Sequence, residues 1–288
     1  MPTSINQAFI KLRENLRITE LQESTVSNRQ QNLRGYLEEE LKIVDSFLTG
    51  SYRRGTMIAP LSRADVDIFF VLDSSYFQDG GQASLLDKVR RILKRMYPDT
   101  SEISRNGQAV TVQFADFKVD VVPSFNRSSG GYLIPDSTLG QWIATDPKKH
   151  VQIWQVANQG HNSNLNPLSK MIKGWNRMHS RPFRTFHLET LVLQIMNGVV
   201  ISSFPLAVGY IFDQARDLVK YPVMDPAGYG GNVGAYLNTQ AKLDAVISRL
   251  DSAHRRAVEA IQYEEEGKVA DAYEKWRMIF CDYFPSYG

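Results

Sequence analysis

The fold is decided by residues 50–72, GSYRRGTMIAPLSRADVDIFFVL. The closing eight residues, Asp65 to Leu72, have the length and the Val, Ile and Phe content of a strand. Asp65 and Asp67 flank Val66 within it, and side chains two apart on a strand point to the same face. Carboxylates roughly 7 Å apart repel each other, and an interior strand is a poor place to leave them unpaired. A divalent cation resolves that conflict. Taken alone, an Asp-X-Asp pair reads first as a solvated strand end or a salt-bridged pair.

A second acidic strand changes the balance. AVTVQF and KVDVVPSF read as neighbouring strands joined by a tight segment at Ala115–Asp116. Asp120 sits in the second of them, among Val119, Val121 and Val122. If the strands of Asp67 and Asp120 are neighbours, three carboxylates meet at one site. Ligation by oxygen alone suits Mg²⁺ or Mn²⁺ and not zinc. Three acids can hold two ions, the arrangement for in-line phosphoryl transfer.

Upstream, Gly50–Ser51 follows the short apolar run Val44–Leu48. Glycine lets a backbone approach a phosphate closely, and neighbouring amides with the Ser51 hydroxyl can donate to its oxygens. Arg53 and Arg54 follow and can offer positive charge to a triphosphate. By itself Gly-Ser is a common turn, and the arginines read equally as surface charges.

Around this centre, residues 5–17 and about 24–42 read as helices, the second behind a Ser24–Thr25 cap signal. SLLDKVRRILKRMYP, ending at Pro98, has helical spacing of its apolar residues. The strand signal fades beyond Ser124, and from about residue 146 the chain reads as helices. The expectation is an α+β core with a mixed sheet over residues 1–145 and a helical C-terminal lobe over 146–288.

Composition bounds the rest. A chain of 288 residues with 43% hydrophobic and 22% charged residues is expected to pack a globular core. One cysteine, Cys281, excludes a disulfide framework and a Cys-rich zinc module. The N-terminus MPTSINQAFIKLREN shows no signal-peptide core, and polar residues interrupt the apolar stretch 186–204. A cytoplasmic protein without a membrane span is the expectation. The net charge of +2 lacks the basic excess that duplex nucleic acid demands of its partners.

Gly50–Ser51, then Asp65–Val66–Asp67–Ile68, then Asp120 in KVDVV resemble the pattern of the polymerase-β-like nucleotidyltransferases. The longer string from Gly50 to Leu72 is similar to the bacterial cGAS/DncV-like nucleotidyltransferases, which make cyclic oligonucleotides in antiphage defence. LSKMIKGWNR and RPFRTFHLETL, then GYGGNVGAYL and the closing KWRMIFCDYF, extend the likeness into the helical lobe.

The resemblance implies a polymerase-β-like core with its active site in the cleft between the two lobes. Asp65, Asp67 and Asp120 would be the catalytic, metal-binding acids, with two Mg²⁺ or Mn²⁺ ions. Gly50, Ser51, Arg54, Lys173, Thr185 and Phe186 would bind substrate, Lys173 and Thr185 toward the phosphates and Phe186 toward the base. Without the resemblance, Lys173 reads as a solvated charge and Phe186 as core. ATP and GTP are the implied substrates. A purine cyclic dinucleotide such as cyclic GMP–AMP is the first product expected, a cyclic trinucleotide the second.

A monomer controlled by a regulatory or conjugating protein is expected, with Gly288 as a possible point of conjugation and a frayed tail as the plain alternative. A DNA activator is not expected. The competing readings are a linear oligonucleotide or RNA-tailing transferase, a protein-modifying transferase, and a catalytically silent nucleotide-binding scaffold.

Overall fold

A computed structural model describes residues 2–100 and 102–288. The chain forms two compact units, one of residues 18–152 and one joining the segment before Ile18 to residues 153–288.

The first unit is built on a seven-stranded mixed sheet. Its strands are β1 (Ile43–Leu48), β2 (Asp65–Leu72), β3 (Ile103–Asn106), β4 (Ala109–Gln113), β5 (Lys118–Asn126), β6 (Tyr132–Asp136) and β7 (Gln141–Thr145). The order is β1-β2-β5-β4-β3, with β6 pairing with β5 and β7. Only β2 and β5 run parallel, and every other pair is antiparallel.

Alternation along β2 and β5 sorts side chains to two faces. Val66, Ile68, Phe70 and Leu72 join Val119 and Val121 in the larger core. There they meet Val26, Leu33 and Leu37 of α2 (Glu20–Glu40) and Leu86, Val89 and Leu93 of α4 (Gln82–Met96). The opposite face carries a smaller cluster of Phe69, Val71, Val122, Tyr132 and Ile134, with Phe47 against it. Asp65, Asp67 and Asp120 share the parity of this second face, so the acids stand at one end of an otherwise apolar row.

Three local expectations are corrected. The second helix begins at Glu20, because Thr19 and Gln22 form a reciprocal capping box. Strand structure continues past Ser124: β5 runs to Asn126, and β6 and β7 follow. Pro135 inside β6 and the half-exposed faces of β7 mute the strand signal there. Within the turn-rich stretch, Gly50–Arg53 forms a single helical turn, α3.

The second unit contains α1 (Ile5–Asn15), most of α5 (Pro147–Gly160), α6 (Leu165–Met178), α7 (Thr185–Ile195), α8 (Phe204–Leu218), α9 (Gln240–Glu265) and α10 (Val269–Phe280). The sequence reading grouped α1 with the core. The structure packs it with the C-terminal helices instead, because Phe9 lies edge-on to Trp276 at 4.9 Å and to Phe284 at 5.4 Å. Among the described residues no helix is long and apolar enough to cross a membrane.

The capping box gives a direct check on this architecture. Thr19→Ala removes a side-chain acceptor from the first turn of α2 and should lower unfolding stability by about 1 kcal/mol. Chemical denaturation measures it, and an unmoved midpoint would show that the box contributes nothing.

Candidate active site

The site begins with a register. In the parallel pair of β2 and β5, Asp67 stands directly opposite Asp120, and Asp65 directly opposite Lys118. In the antiparallel pair of β4 and β5, Thr111 stands opposite Asp120. On the other flank β1 and β2 pair Leu48 with Ile68, and the Thr49 N–H continues that ladder to the Asp67 carbonyl at 3.0 Å. Cross-strand partners share a face. One row therefore reads Thr49, just past the end of β1, then Asp67, Asp120 and Thr111 on three strands.

The two threonines differ. Thr111 Oγ1 donates to Asp120 Oδ1 at 2.5 Å. Thr49 Oγ1 is buried and has no hydrogen-bond partner among the described residues, an unusual state for a hydroxyl.

Asp120 is half-buried, and that burial raises its carboxyl above the ordinary carboxylate value. The Thr111 hydrogen bond opposes the rise, the Asp65 charge adds to it, and Lys118 opposes it. Asp65 is exposed and Asp67 half-buried. The sheet thus concentrates negative charge where desolvation already penalises it.

Gly50 has a role the sequence did not disclose. Its φ is +62°, in the left-handed region that favours glycine, and a Cβ there would overlap Asp67 Oδ2. The glycine's free space is taken by the carboxylate. The following helical turn is pinned through Ser51, whose carbonyl accepts from the N–H groups of Thr56 and Met57 at 2.9 and 3.0 Å. Ser51 is half-buried, Arg53 exposed and Arg54 buried.

An all-carboxylate donor set on one face, with an unpaired hydroxyl beside it, fits a hard divalent cation. Among the described residues no three acidic, histidine or cysteine side chains already close into a metal-holding group. The structure supplies a pair in register, Asp67 and Asp120, with Asp65 two residues back on the same face.

Lys173, Thr185 and Phe186 belong to the second unit. Lys173, on α6, is buried and its Nζ lies 2.6 Å from Oε1 of buried Glu189 on α7. This corrects the picture of a solvated lysine. Thr185 opens α7 and is exposed, and half-buried Phe186 follows it, its carbonyl accepting from Thr190 Oγ1 at 2.8 Å. The Lys173–Glu189 pair therefore fastens α6 to the helix whose first turn carries both.

Sequence reading missed Thr49, Thr111 and Glu189. A two-residue turn at Ala115–Asp116 already implies Thr111 opposite Asp120, so the hairpin register held that signal. Thr49 and Glu189 carry no such mark.

The first turn of α7 is tied down by Tyr236. Its hydroxyl accepts from the Arg184 N–H at 2.9 Å and lies 3.0 Å from His187 Nδ1. His187 Nε2 has no hydrogen-bond partner among the described residues, and burial pushes the imidazole pKa from 6.5 down to about 4.

Comparison with known proteins follows the geometry. Residues 3–158 match the family model "Second Messenger Oligonucleotide or Dinucleotide Synthetase domain". A cyclic AMP-AMP-AMP synthase of Acinetobacter sp. is 29% identical over 259 residues, covering 84% of this chain and 73% of that protein. CdnC of E. coli MS115-1, solved with ATP, superposes with a TM-score of 0.78 at 20% identity, over 98% of this chain and 99% of its own. The same enzyme in complex with HORMA-deltaN gives 0.78 at 19% identity over 98% of each chain. At these identities the solved structures establish the fold.

His187 supplies a pH test. The unfolded chain takes up the proton near pH 6.5 and the folded one only near 4. Stability from the neutral, buried ring is therefore complete above about 6.5 and lost as pH falls toward 4. Unfolding midpoints measured across that window should fall, and less steeply for His187→Gln. Equal slopes for both proteins would exclude His187 as the source.

Proposed function

The chain belongs to the family of second messenger oligonucleotide or dinucleotide synthetases, and from that premise we propose that it is a cyclic oligonucleotide synthase using Asp65, Asp67 and Asp120. The observation that carries the reading is the register pairing of Asp67 with Asp120 beside Gly50. A scaffold that only bound nucleotides would have no need to keep two repelling carboxylates side by side.

In the proposed reaction a ribose hydroxyl of one nucleotide attacks the α-phosphorus of a second nucleoside triphosphate in line. The new O–P bond forms as the bond to the β-phosphate oxygen breaks, and pyrophosphate leaves. The hydroxyl proton passes to Asp120, the acid in register with Asp67. The Gly50–Ser51 turn, Arg54, Lys173 and Thr185 orient the triphosphate, and Phe186 offers a face to the base. Two Mg²⁺ or Mn²⁺ ions held by the three acids would neutralise phosphate charge and acidify the attacking hydroxyl. A repeat of the transfer on the linear intermediate closes the ring.

The Acinetobacter relative is named for a cyclic adenine trinucleotide. That supports placing a trinucleotide ahead of the cyclic GMP–AMP-like dinucleotide that the sequence first suggested. CdnC's complex with HORMA-deltaN supports a regulatory protein as the controlling partner, in place of DNA. Antiphage signalling is the proposed setting, since CdnC is named a CBASS oligonucleotide cyclase.

Incubation with the four ribonucleoside triphosphates and Mg²⁺ or Mn²⁺, followed by mass spectrometry and linkage-specific nucleases, tests the reading. A cyclic product is expected; linear tails alone would replace the proposal with an RNA-tailing one. Asp67→Asn and Asp120→Asn should each reduce pyrophosphate release by more than about a hundredfold with the fold retained. Wild-type release by either variant would overturn the site assignment.

Gly50→Ala should inactivate comparably, because displacing Asp67 by about 1 Å is enough to lose roughly a hundredfold. Circular dichroism would show the rest of the sheet intact. Normal turnover by this variant would mean that Asp67 does not need its present position.

A further inference from the structure

The Thr111 hydroxyl makes a contact that the reaction above leaves unused. Thr111 lies on β4, which is bonded to β5 on one side and β3 on the other, so its backbone is held from both edges. A β-branched residue on a strand has little freedom about χ1. The hydroxyl is therefore presented from a rigid position, directly opposite Asp120.

Its hydrogen bond to Asp120 Oδ1 measures 2.5 Å, within the short range of a hydroxyl bonded to an ionised carboxylate. A carboxylate oxygen can only accept, so the Thr111 proton is committed to that contact. Among the described residues no hydrogen bond engages the other oxygen, Oδ2. Among the described residues no second hydrogen bond fixes the rotation of this carboxyl group: Lys118 and Asp65 act on it through their charges, and Val122, two residues on, belongs to an apolar cluster.

We propose that Thr111 is a positioning residue, holding Asp120 through Oδ1 so that Oδ2 is directed to the cation and the attacking hydroxyl. Two carboxylates in register repel, and without an anchor the Asp120 side chain would swing away from Asp67. Thr111 stands on the flank away from Asp67, so its hydrogen bond holds Oδ1 apart from the like charge at one fixed point and assigns the two oxygens separate tasks. A partner behind a metal-binding carboxylate typically alters affinity or activity by about 10–100-fold when removed.

The inference rests on Asp120 being an acid of the transfer site, and the experiment separates the two claims. Thr111→Val keeps the branched shape and strand preference while deleting the hydroxyl, and Thr111→Ser keeps the hydroxyl while deleting the methyl. Two quantities are measured for wild type, both variants and Asp120→Asn: Mn²⁺ affinity of the nucleotide-free protein by electron paramagnetic resonance, and steady-state pyrophosphate release with ATP.

Thr111→Val should weaken Mn²⁺ binding and lower kcat by about tenfold or more, with KM for ATP within about twofold and an unchanged melting temperature. Thr111→Ser should recover both to within about threefold. Wild-type Mn²⁺ affinity and rate in Thr111→Val, alongside an inactive Asp120→Asn, would overturn the role of Thr111 and leave the site reading standing. An active Asp120→Asn would overturn the site reading itself. Equal losses in the Val and Ser variants with lowered melting temperatures would reduce Thr111 to a packing residue.

Discussion

The rest of the first unit is organised around two like charges in register. Asp67 and Asp120 are Cα partners on adjacent parallel strands, on a face that turns apolar two residues further on at Phe69 and Val122. Parallel strands are the usual choice for a sheet buried on both faces, and here that burial raises the affinity of Asp120 for a proton. The register has no slack. A slip of one residue would turn Val66 and Ile68 out of the larger core and bury Asp67 in their place. The hydrophobic pattern that folds the sheet is also what delivers the acids to one row.

Three neighbours make this charge concentration tolerable, each by a different physical means. Lys118, opposite Asp65, places a positive charge beside the outermost acid. Thr111 supplies a hydrogen bond to Asp120 that favours the ionised form. Gly50 contributes empty space, since its missing Cβ is where the Asp67 carboxylate rests. The Gly-Ser turn is thus a seat for the acid. A larger residue before Ser51 would break the acidic row even if every carboxylate remained.

The legibility of these features in sequence followed their range. Length and β-branched and aromatic content exposed β2 and β5, and the order Gly-Ser, Asp-X-Asp, Asp carried the candidate acids, because both are local patterns in a short stretch of chain. The Thr19–Gln22 box was equally local, yet the cap signal at Ser24–Thr25 drew the helix start to about residue 24. β6 and β7 escaped because Pro135 and partial exposure dilute the alternation. The placement of α1 was beyond local reading altogether. It depends on Phe9 meeting Trp276 and Phe284, near the other end of the chain. Thr111 lay between these cases: unremarkable as a residue, but fixed opposite Asp120 once the turn at Ala115–Asp116 is counted out in pairs.

Lys173 shows why residue type alone misjudges charge. On an amphipathic helix a lysine is expected to extend its ammonium into water, yet this one is buried against Glu189, itself almost wholly buried. Desolvating two ions offsets much of their attraction, so such a pair is weak evidence for stability. What it does supply is direction. The ammonium cannot leave Glu189 without abandoning a buried carboxylate, so its position is set by α7 as well as by its own helix. The same logic governs Asp120 in the sheet unit, where a hydroxyl in place of a countercharge does the holding. In both units the group that sequence reading singled out is held by a partner from another element: Glu189 on α7 for Lys173, and Thr111 on β4 for Asp120.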